Sequence, residues 1–186
     1  NNLHNEFIGT IHNLHHNQKW EILKILEFSS ARGMMSVIVK NESGEIFLYT
    51  KGGDKKLKAL LGSNQPYIDY VSKEALKLSE SGLRVLWIAF KPVSDQEYEN
   101  WKNKYDRGLA KLVEEKEIDE YNKIHYKDIE EGICLIGCTA VEDKLQENVP
   151  ETLKTLQSAG INTWVLTGDT LPTAKNIGIM CNLITK

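Results

Sequence analysis

The pattern of apolar residues changes at Gly132, and no other feature of the sequence constrains the fold as strongly. Before Gly132, short apolar runs are separated by turn clusters such as residues 41–44, which is typical of antiparallel hairpins. After it, apolar runs alternate with helical segments, which is typical of a parallel sheet with right-handed crossovers. The pattern therefore predicts an α/β (α+β) chain, in which an antiparallel sheet flanked by helices is followed by a partial parallel β-α-β-α segment.

Four strands and three helices are predicted before Gly132. The strands are expected at residues 20–28, 34–40, 45–50 and 83–90, and the helices at 66–81, from a capping box at 94–97 onward, and at 114–131. Tyr98, Trp101 and Tyr105 recur on one face of the second helix, which favours core packing over a ligand platform. Charges are interspersed along residues 114–131, so we expect that helix to be exposed.

The segment after Gly132 is predicted to form strand 133–141, helix 149–159, strand 161–166 and helix 172–181. Thr167, Gly168 and Asp169 directly follow the second of these strands, at the edge where parallel sheets place functional groups. A hydroxyl, an open backbone and a carboxylate suit a phosphate or a nucleotide there. The same residues are equally consistent with a turn at Gly168 and a helix cap at Asp169.

Three further side chains have both a functional and a structural interpretation. Phe28 precedes a polar turn and could stack on a base, although a phenylalanine at a strand end usually belongs to the core. Lys51 stands beside Gly52 and Gly53, where a cation next to flexible backbone could reach a nucleotide, but Lys-Gly-Gly is also ordinary turn chemistry. Arg84 begins an apolar strand and needs an anionic partner, which a structural ion pair would also supply.

Composition excludes several classes of protein. The 186 residues include 23 basic and 26 acidic side chains, for a net charge of -3, which disfavours general nucleic-acid binding. Hydrophobic residues make up 41% of the chain, enough for a folded core. The longest apolar run, at residues 83–90, is far shorter than the ~20 residues that span a bilayer. The chain begins without Met and shows no targeting signal, so we expect a fragment of a longer protein in a reducing, cytosolic setting.

The sequence gives little support for a metal site or for a self-contained catalytic motif. The three cysteines are odd in number and lack CxxC spacing. Two of His12, His15 and His16 could meet on one helical turn, but no nearby cysteine or carboxylate pair completes a ligand set, so we predict no metal site. Walker A, GxGxxG, HExxH and GxSxG motifs are absent from the sequence.

Several stretches of the chain resemble the P4-type ATPases, the phospholipid flippases among the P-type pumps, in the same order and spacing. Residues 26–39 read LEFSSARGMMSVIV, similar to the family's LEFSSDRKRMSVIV. The further matches are LYTKGGD at 48–54 with LYCKGAD, GLRVL at 82–86 with GLRTL, EYENW at 97–101 with EYEEW, GCTAVEDKLQE at 137–147 with GATAIEDKLQE, and WVLTGD at 164–169, followed by TAKNIG at 173–178. The resemblance covers about residue 20 to the C-terminus.

This resemblance implies a P-type ATPase nucleotide-binding domain at residues 1–131 and part of a phosphorylation domain, of haloacid-dehalogenase type, at 132–186. By matched position, the nucleotide-binding residues would be Phe28, Ser29, Lys51, Arg84, Thr167, Gly168 and Asp169, with Asp143 in the hinge motif. Among them, Phe28 would stack on adenine, Lys51 would line the pocket and Arg84 would contact the phosphates. Thr167, Gly168 and Asp169 would meet the ATP phosphates when the domains close.

The resemblance also implies a function and a set of partners. The chain would be the cytoplasmic, ATP-binding part of a multi-pass membrane enzyme that moves phospholipid between leaflets. It would present ATP to a phosphorylatable Asp outside the chain, because the DKTGT and GDGxND motifs are absent. No catalytic residue is therefore expected here, and Mg²⁺ would be held mainly by residues elsewhere. The expected partners are ATP, the parent's transmembrane domain, its phospholipid substrate and an accessory subunit of the flippase type.

Three departures from the family pattern leave alternatives open. Ala31, Gly33 and Met34 replace Asp, Lys and Arg, which removes two cations beside the proposed base pocket. One alternative is a flippase-like regulatory pseudo-ATPase module, for example fused to a guanylyl cyclase as in some protists. Another is an interaction domain that binds no nucleotide. A DKTGT motif in the parent chain would separate the first alternative from an active pump, and titration with ATP would test the second.

Overall fold

The computed structural model describes residues 8–12, 17–142, 144–169 and 171–184. In chain order their elements are β1 (Ile8–His12), β2 (Asn17–Ser29), β3 (Met34–Asn41), β4 (Ile46–Gly52), α1 (Asp54–Lys58), α2 (Ile68–Glu80), β5 (Arg84–Val93), α3 (Asp95–Leu109), α4 (Glu115–Glu130), β6 (Cys134–Val141), α5 (Val149–Ser158) and α6 (Leu171–Met180). All the predicted helices, and every predicted strand before residue 142, are present within three residues of the expected bounds. No described helix is long and apolar enough to cross a membrane.

The described strands form one sheet in sequential order, from β1 to β6. From β1 to β5 each strand runs antiparallel to its neighbours, which confirms the predicted antiparallel sheet. Local turn chemistry explains the β3–β4 hairpin. The Asn41 side-chain oxygen accepts a hydrogen bond from the Glu45 amide at 2.8 Å, and the Asn41 carbonyl accepts one from the Gly44 amide at 3.0 Å.

The core lies between one face of this sheet and helices α3 and α4. Lys24 Nζ on β2 lies 4.8 Å from the centre of the Tyr105 ring on α3, and Lys91 Nζ on β5 donates to the Ile129 carbonyl on α4 at 3.2 Å. Side chains alternate along β4, and Leu48 is fully buried. Burying one such side chain contributes about 1.5–3 kcal/mol, so this packing is what orders the sheet.

Helix α3 begins where the capping box predicts. Ser94 Oγ accepts a hydrogen bond from the Glu97 amide at 3.2 Å and satisfies one of the free donors of the first turn. Tyr98, Trp101 and Tyr105 are all buried, which confirms the aromatic stripe as core. Burial raises the pKa of the Tyr98 hydroxyl to about 12, because the low-dielectric surroundings disfavour the phenolate.

Helix α4 differs from the exposed helix that its sequence indicates. Tyr126, Ile129 and Glu130 are buried at its C-terminal end, so the expectation was wrong for that face. The charges of residues 114–131 made the sequence look uniformly solvated. The apolar residues nevertheless recur at helical spacing, and this inner face packs while the charged face remains in water.

The described residues form two compact units. The sheet unit comprises those within Asn1–Pro66 and Trp87–Gly137, and the C-terminal unit comprises those within Tyr67–Leu86 and Cys138–Lys186. Helix α2 belongs to the C-terminal unit, where it packs with α6. The division into a nucleotide-binding domain at 1–131 and a partial phosphorylation domain at 132–186 remains a prediction.

The strand predicted at residues 161–166 is not a strand in the structure. This segment is irregular, and its side chains are largely exposed, with Trp164 79% and Leu166 95% accessible. A strand of a parallel sheet exists only with neighbours that satisfy its backbone groups, and no described residue pairs with this segment. The apolar pattern predicted a buried strand here, and that prediction was wrong because the pattern does not show whether a pairing partner exists.

Two elements were not predicted from the sequence. Strand β1 precedes residue 20, where the sequence predicted no element, and it pairs with β2 through backbone hydrogen bonds that need no apolar pattern. Helix α1 is only five residues long, too short for helical periodicity to reveal it. The histidine metal alternative concerns residues 12–16; residues 13–16 and the His12 side chain lie outside what the structure describes.

Candidate functional site

Phe28 lies near the end of β2, where the ends of three strands meet. Ser29 pairs with Met34 at the start of β3, and Met34 pairs with Gly52 at the end of β4. The Phe28 side chain is 61% exposed. Since a core phenylalanine would be buried, the structure removes the core interpretation and leaves an aromatic ring in solvent beside these strand ends.

The turn that follows Phe28 is held tightly by its own backbone. The Gly33 amide donates to the Ser29 carbonyl at 2.7 Å, and the Gly53 amide donates to the Gly33 carbonyl at 3.1 Å. Gly33 has a φ of +64°, which a side chain would make costly. Ser29 Oγ accepts a hydrogen bond from the Arg32 amide at 3.3 Å, so the predicted nucleotide-binding residue Ser29 stabilises the turn.

Gly52 allows the end of β4 to approach this turn. A Cβ atom on Gly52 would lie 2.4 Å from Met34 Cβ and 2.8 Å from the Gly33 carbonyl oxygen, distances at which something must shift. The glycine pair of the Lys-Gly-Gly sequence is therefore explained in part by packing. Lys51 itself is exposed and pairs with Met35, on the strand next to the Phe28 turn. Phe28, Ser29 and Lys51 are thus gathered at one edge of the sheet unit.

A buried ion pair connects the turn to helix α4. Arg32 Nη2 donates to Glu130 Oε1 at the end of α4, and both side chains are almost inaccessible. Arg32 Nη1 also donates to the carbonyl oxygens of Leu26 at 3.3 Å and Glu27 at 2.5 Å. Arg32 Cζ lies 4.8 Å from the centre of the Tyr126 ring. The guanidinium therefore fixes the backbone of the two residues that precede Phe28.

Glu130 is held by more than Arg32. Ser36 Oγ donates to Glu130 Oε1, and it also lies 2.9 Å from Thr50 Oγ1. Burial raises the pKa of the Glu130 carboxyl, while the Ser36 hydrogen bond and the Arg32 charge act in the opposite direction. A carboxylate at a helix C-terminus is also disfavoured by the helix dipole, and the guanidinium offsets that cost.

Sequence reasoning singled out Arg84 as the arginine in need of a buried partner and missed Arg32. Arg32 stands in a polar break of the sequence, where an arginine looks solvated. The one available signal was the position of Arg32 in the short turn between two predicted strands, where a side chain can reach back to the strand end. The remote partner Glu130 gives no local sign of its role.

In the C-terminal unit, Arg84 forms an ion pair with Asp169, with 3.1 Å between Nη2 and Oδ2. Thr167 Oγ1 donates to the same Oδ2 at 3.0 Å and accepts a hydrogen bond from the Asp169 amide at 3.1 Å. The ion pair is partly in solvent, with half of the Arg84 side chain accessible. Three of the predicted phosphate-contacting residues therefore meet in one cluster.

Two other predicted residues, Gly168 and Asp143, take no part in the contacts described at the Phe28 turn or around Arg84. Gly168 is exposed, and a Cβ atom there would meet nothing within 4 Å, so nothing in its surroundings requires glycine. Asp143 lies outside the described residues. Among the described residues, no group of three or more His, Cys, Asp or Glu side chains is arranged to hold a metal ion.

A surface depression of about 550 Å³ lies on α3, away from these predicted residues. It is lined by Asn100, Asn103, Lys104, Arg107, Gly108 and Lys111. Lys104 is already paired with Asp128 at 2.8 Å. The depression contains none of the predicted nucleotide-binding residues.

The fold is an α+β domain in which helices pack on an antiparallel sheet. An aromatic residue is exposed at the strand ends. Both features can be compared with those of known protein families. A family model described as "P-type ATPase, cytoplasmic domain N" matches residues 5–148. The chain belongs to the P-type ATPase family, and the match lies in its cytoplasmic domain N.

Curated relatives agree with this assignment. The chain is 40% identical over 169 residues to "Phospholipid-transporting ATPase C887.12" of Schizosaccharomyces pombe, covering 90% of this chain and 13% of that protein. It is 40% identical over 171 residues to "Phospholipid-transporting ATPase DRS2" of Saccharomyces cerevisiae, covering 91% and 12%. It is 39% identical over 177 residues to "Phospholipid-transporting ATPase ID" of Homo sapiens, covering 95% and 14%. The chain thus spans about an eighth of the length of these relatives.

Proposed function

We propose that this chain is the ATP-binding cytoplasmic portion of a phospholipid-transporting P-type ATPase. The observation that carries the proposal is the exposed Phe28 ring at the rim of the sheet unit. Other aromatic residues of this unit, such as Trp101 and Tyr105, are buried in the core. An exposed aromatic ring on rigid backbone provides a stacking surface for a planar base, at little cost in conformational entropy.

The surroundings of Phe28 suit a nucleotide. The turn after it and the end of β4 are joined by the Gly53-to-Gly33 hydrogen bond, so the ring stands on backbone that does not have to be ordered by a ligand. Lys51 is exposed on the neighbouring strand and offers a cation for the phosphates. With adenine on Phe28, we expect Lys51 to line the pocket.

The cluster of the C-terminal unit suits the terminal phosphates. Arg84 provides a planar guanidinium, and Thr167 provides a hydroxyl. The Arg84–Asp169 ion pair is exposed, so a phosphate oxygen can replace the carboxylate as the partner of Arg84 at small cost. We propose that Gly168 and Asp169 belong to this phosphate site as well, as expected for the haloacid-dehalogenase-like segment, and that Asp143 acts in the hinge.

In the whole protein, we propose that ATP is presented with Mg²⁺ to an aspartate outside this chain. The aspartate oxygen would attack the γ-phosphorus, forming an acyl phosphate while ADP leaves. This step would drive movement of a phospholipid across the membrane through the parent's transmembrane domain, with an accessory subunit as a further partner. The phospholipid is proposed from the names of the relatives, which are phospholipid-transporting ATPases.

Titration of the chain with ATP tests the binding part of the proposal. We expect Phe28→Ala to weaken ATP binding about tenfold or more, because stacking on an aromatic ring is worth about 1–3 kcal/mol per base. Lys51→Ala should weaken ATP binding more than adenosine binding. Tyr70→Ala is the matched control, since Tyr70 on α2 is also exposed, at 69%, and is not a predicted site residue. ATP affinity that is equal in the wild type and in both site variants would contradict the site.

The regulatory pseudo-ATPase alternative rests on Ala31, Gly33 and Met34, which replace charged residues of the family pattern. It predicts ATP binding by this chain without turnover in the parent. Formation of an acid-stable phosphoenzyme from labelled ATP by the parent protein would reject it. Absence of phosphoenzyme together with ATP binding would favour it.

A further inference from the structure

The exposed face of the Phe28 turn has no cation of its own. Residues 30–33 contribute Arg32, but its guanidinium is buried against Glu130 and two carbonyl groups. Ala31 and Gly33 carry no charge. If this turn faces an anionic ligand, the positive charge has to come from another element.

Lys56 of helix α1 supplies a cation at that position. Its Nζ donates a hydrogen bond to the Ala31 carbonyl at 3.0 Å, across 25 residues of sequence. The side chain is exposed, and no described carboxylate forms an ion pair with it. An ammonium group has three donors, and the Ala31 carbonyl uses one of them.

The absence of a side chain at Gly33 is what accommodates Lys56. A Cβ atom on Gly33 would lie 3.2 Å from Lys56 Cγ and 3.6 Å from Lys56 Cε. The aliphatic part of Lys56 therefore rests directly on the Gly33 backbone and carries its ammonium to the turn. The left-handed φ of Gly33 and this contact both disfavour a larger residue there.

We propose that Lys56 is a nucleotide-binding residue that places its ammonium against the phosphate groups of a ligand stacked on Phe28. This inference rests on the proposed function and adds a residue to the same site. It also explains how the turn can lack cations at Ala31, Gly33 and Met34, because a lysine on α1 provides the charge instead. The alternative is that Lys56 only stabilises the turn through the Ala31 carbonyl.

The test compares ATP, ADP and adenosine binding to the 186-residue chain by NMR shift titration. Lys56→Gln keeps a donor for Ala31 but removes the charge, and we expect it to weaken ATP binding about five- to tenfold while adenosine binding stays unchanged. Lys56→Arg should retain most of the ATP affinity. Lys58→Gln, on the same helix and also exposed, is the matched control and should change ATP affinity less than twofold.

The possible failures are distinguishable. If Phe28→Ala weakens ATP binding but Lys56→Gln does not, the role of Lys56 is wrong and the proposed function stands. Equal weakening of ATP and adenosine by Lys56→Gln would assign Lys56 to turn stability alone and overturn the inference. Equal effects of Lys56→Gln and Lys58→Gln would show a general charge effect and also overturn it. No saturable ATP binding by the wild type would overturn both proposals.

Discussion

Two arginine–carboxylate pairs among the described residues have the same chemistry and differ in their surroundings. Arg32 and Glu130 have side chains that are 6% and 1% accessible, whereas Arg84 and Asp169 are 50% and 22% accessible. The first pair is surrounded by further donors and acceptors in the sheet unit. The second lies in the C-terminal unit at a partly solvated position. Burial therefore separates a pair that holds the Phe28 turn from a pair that water reaches.

The energetic reason is desolvation. Removing one partner of a buried pair leaves an uncompensated charge, which costs about 3–5 kcal/mol. Exposed pairs contribute roughly 0–1 kcal/mol, because water and salt screen them. The buried pair thus stabilises the Phe28 turn, whereas Arg84 and Asp169 gain little stability from each other.

The largest effect is expected from Glu130→Ala. It should lower the free energy of unfolding by about 3–5 kcal/mol, because Arg32 is left buried and Ser36 loses its acceptor. Denaturant unfolding followed by circular dichroism measures it. Glu131→Ala is the control, since Glu131 is the adjacent residue but is 62% accessible and pairs with Lys127 at the surface. Similar destabilisation by both variants would mean that the buried pair is not a special support.

A pH effect of intermediate size is expected from Tyr98, which is buried on α3 in the same sheet unit as Glu130. Burial raises the pKa of Tyr98 to about 12, so the folded state keeps its proton where the unfolded state, with a pKa near 10, loses it. This contribution to stability is complete below about pH 10 and is lost as the pH rises through about 12. Tyr98→Phe should flatten this part of the stability profile. An unchanged slope in that variant would contradict the assignment to Tyr98.

The smallest effect is expected at Arg84 and Asp169. In a double-mutant cycle with Arg84→Gln and Asp169→Asn, the coupling energy should be below about 1 kcal/mol and should fall as salt is added. Thermal or denaturant unfolding of the four proteins gives the value. A coupling as large as the Glu130 effect would remove the contrast between the two pairs.

Local pattern was enough to predict most of the fold. The turn cluster at 41–44, the Ser94 cap and the helical spacing of the aromatic residues on α3 depend on neighbouring residues, and the structure confirms each of them. The prediction of a strand at 161–166 was wrong because a strand also requires a neighbouring strand with which to pair. The prediction that α4 is exposed was wrong because the many charges on its outer face obscured the apolar residues of its buried face.

For the candidate site, the sequence predicted residues but not the contacts that hold them in place. Phe28 and Lys51 were chosen from their place beside polar turns, and the structure places both at one sheet edge. Glu130 is 98 residues from Arg32, and Lys56 is 25 residues from Ala31. Contacts at such separations depend on the folded packing, and a single sequence carries no local signal for them.

We propose above that the nucleotide binds at the strand ends around Phe28. The most direct measurement is a residue-resolved NMR titration of the ¹⁵N-labelled chain with ATP. If ATP binds there, we expect saturable amide shifts concentrated at residues 28–33 and 51–56, and we expect these shifts to be weaker or absent in Phe28→Ala. Saturable shifts confined to the α3 depression around Asn103 and Arg107, with none at residues 28–33, would contradict it.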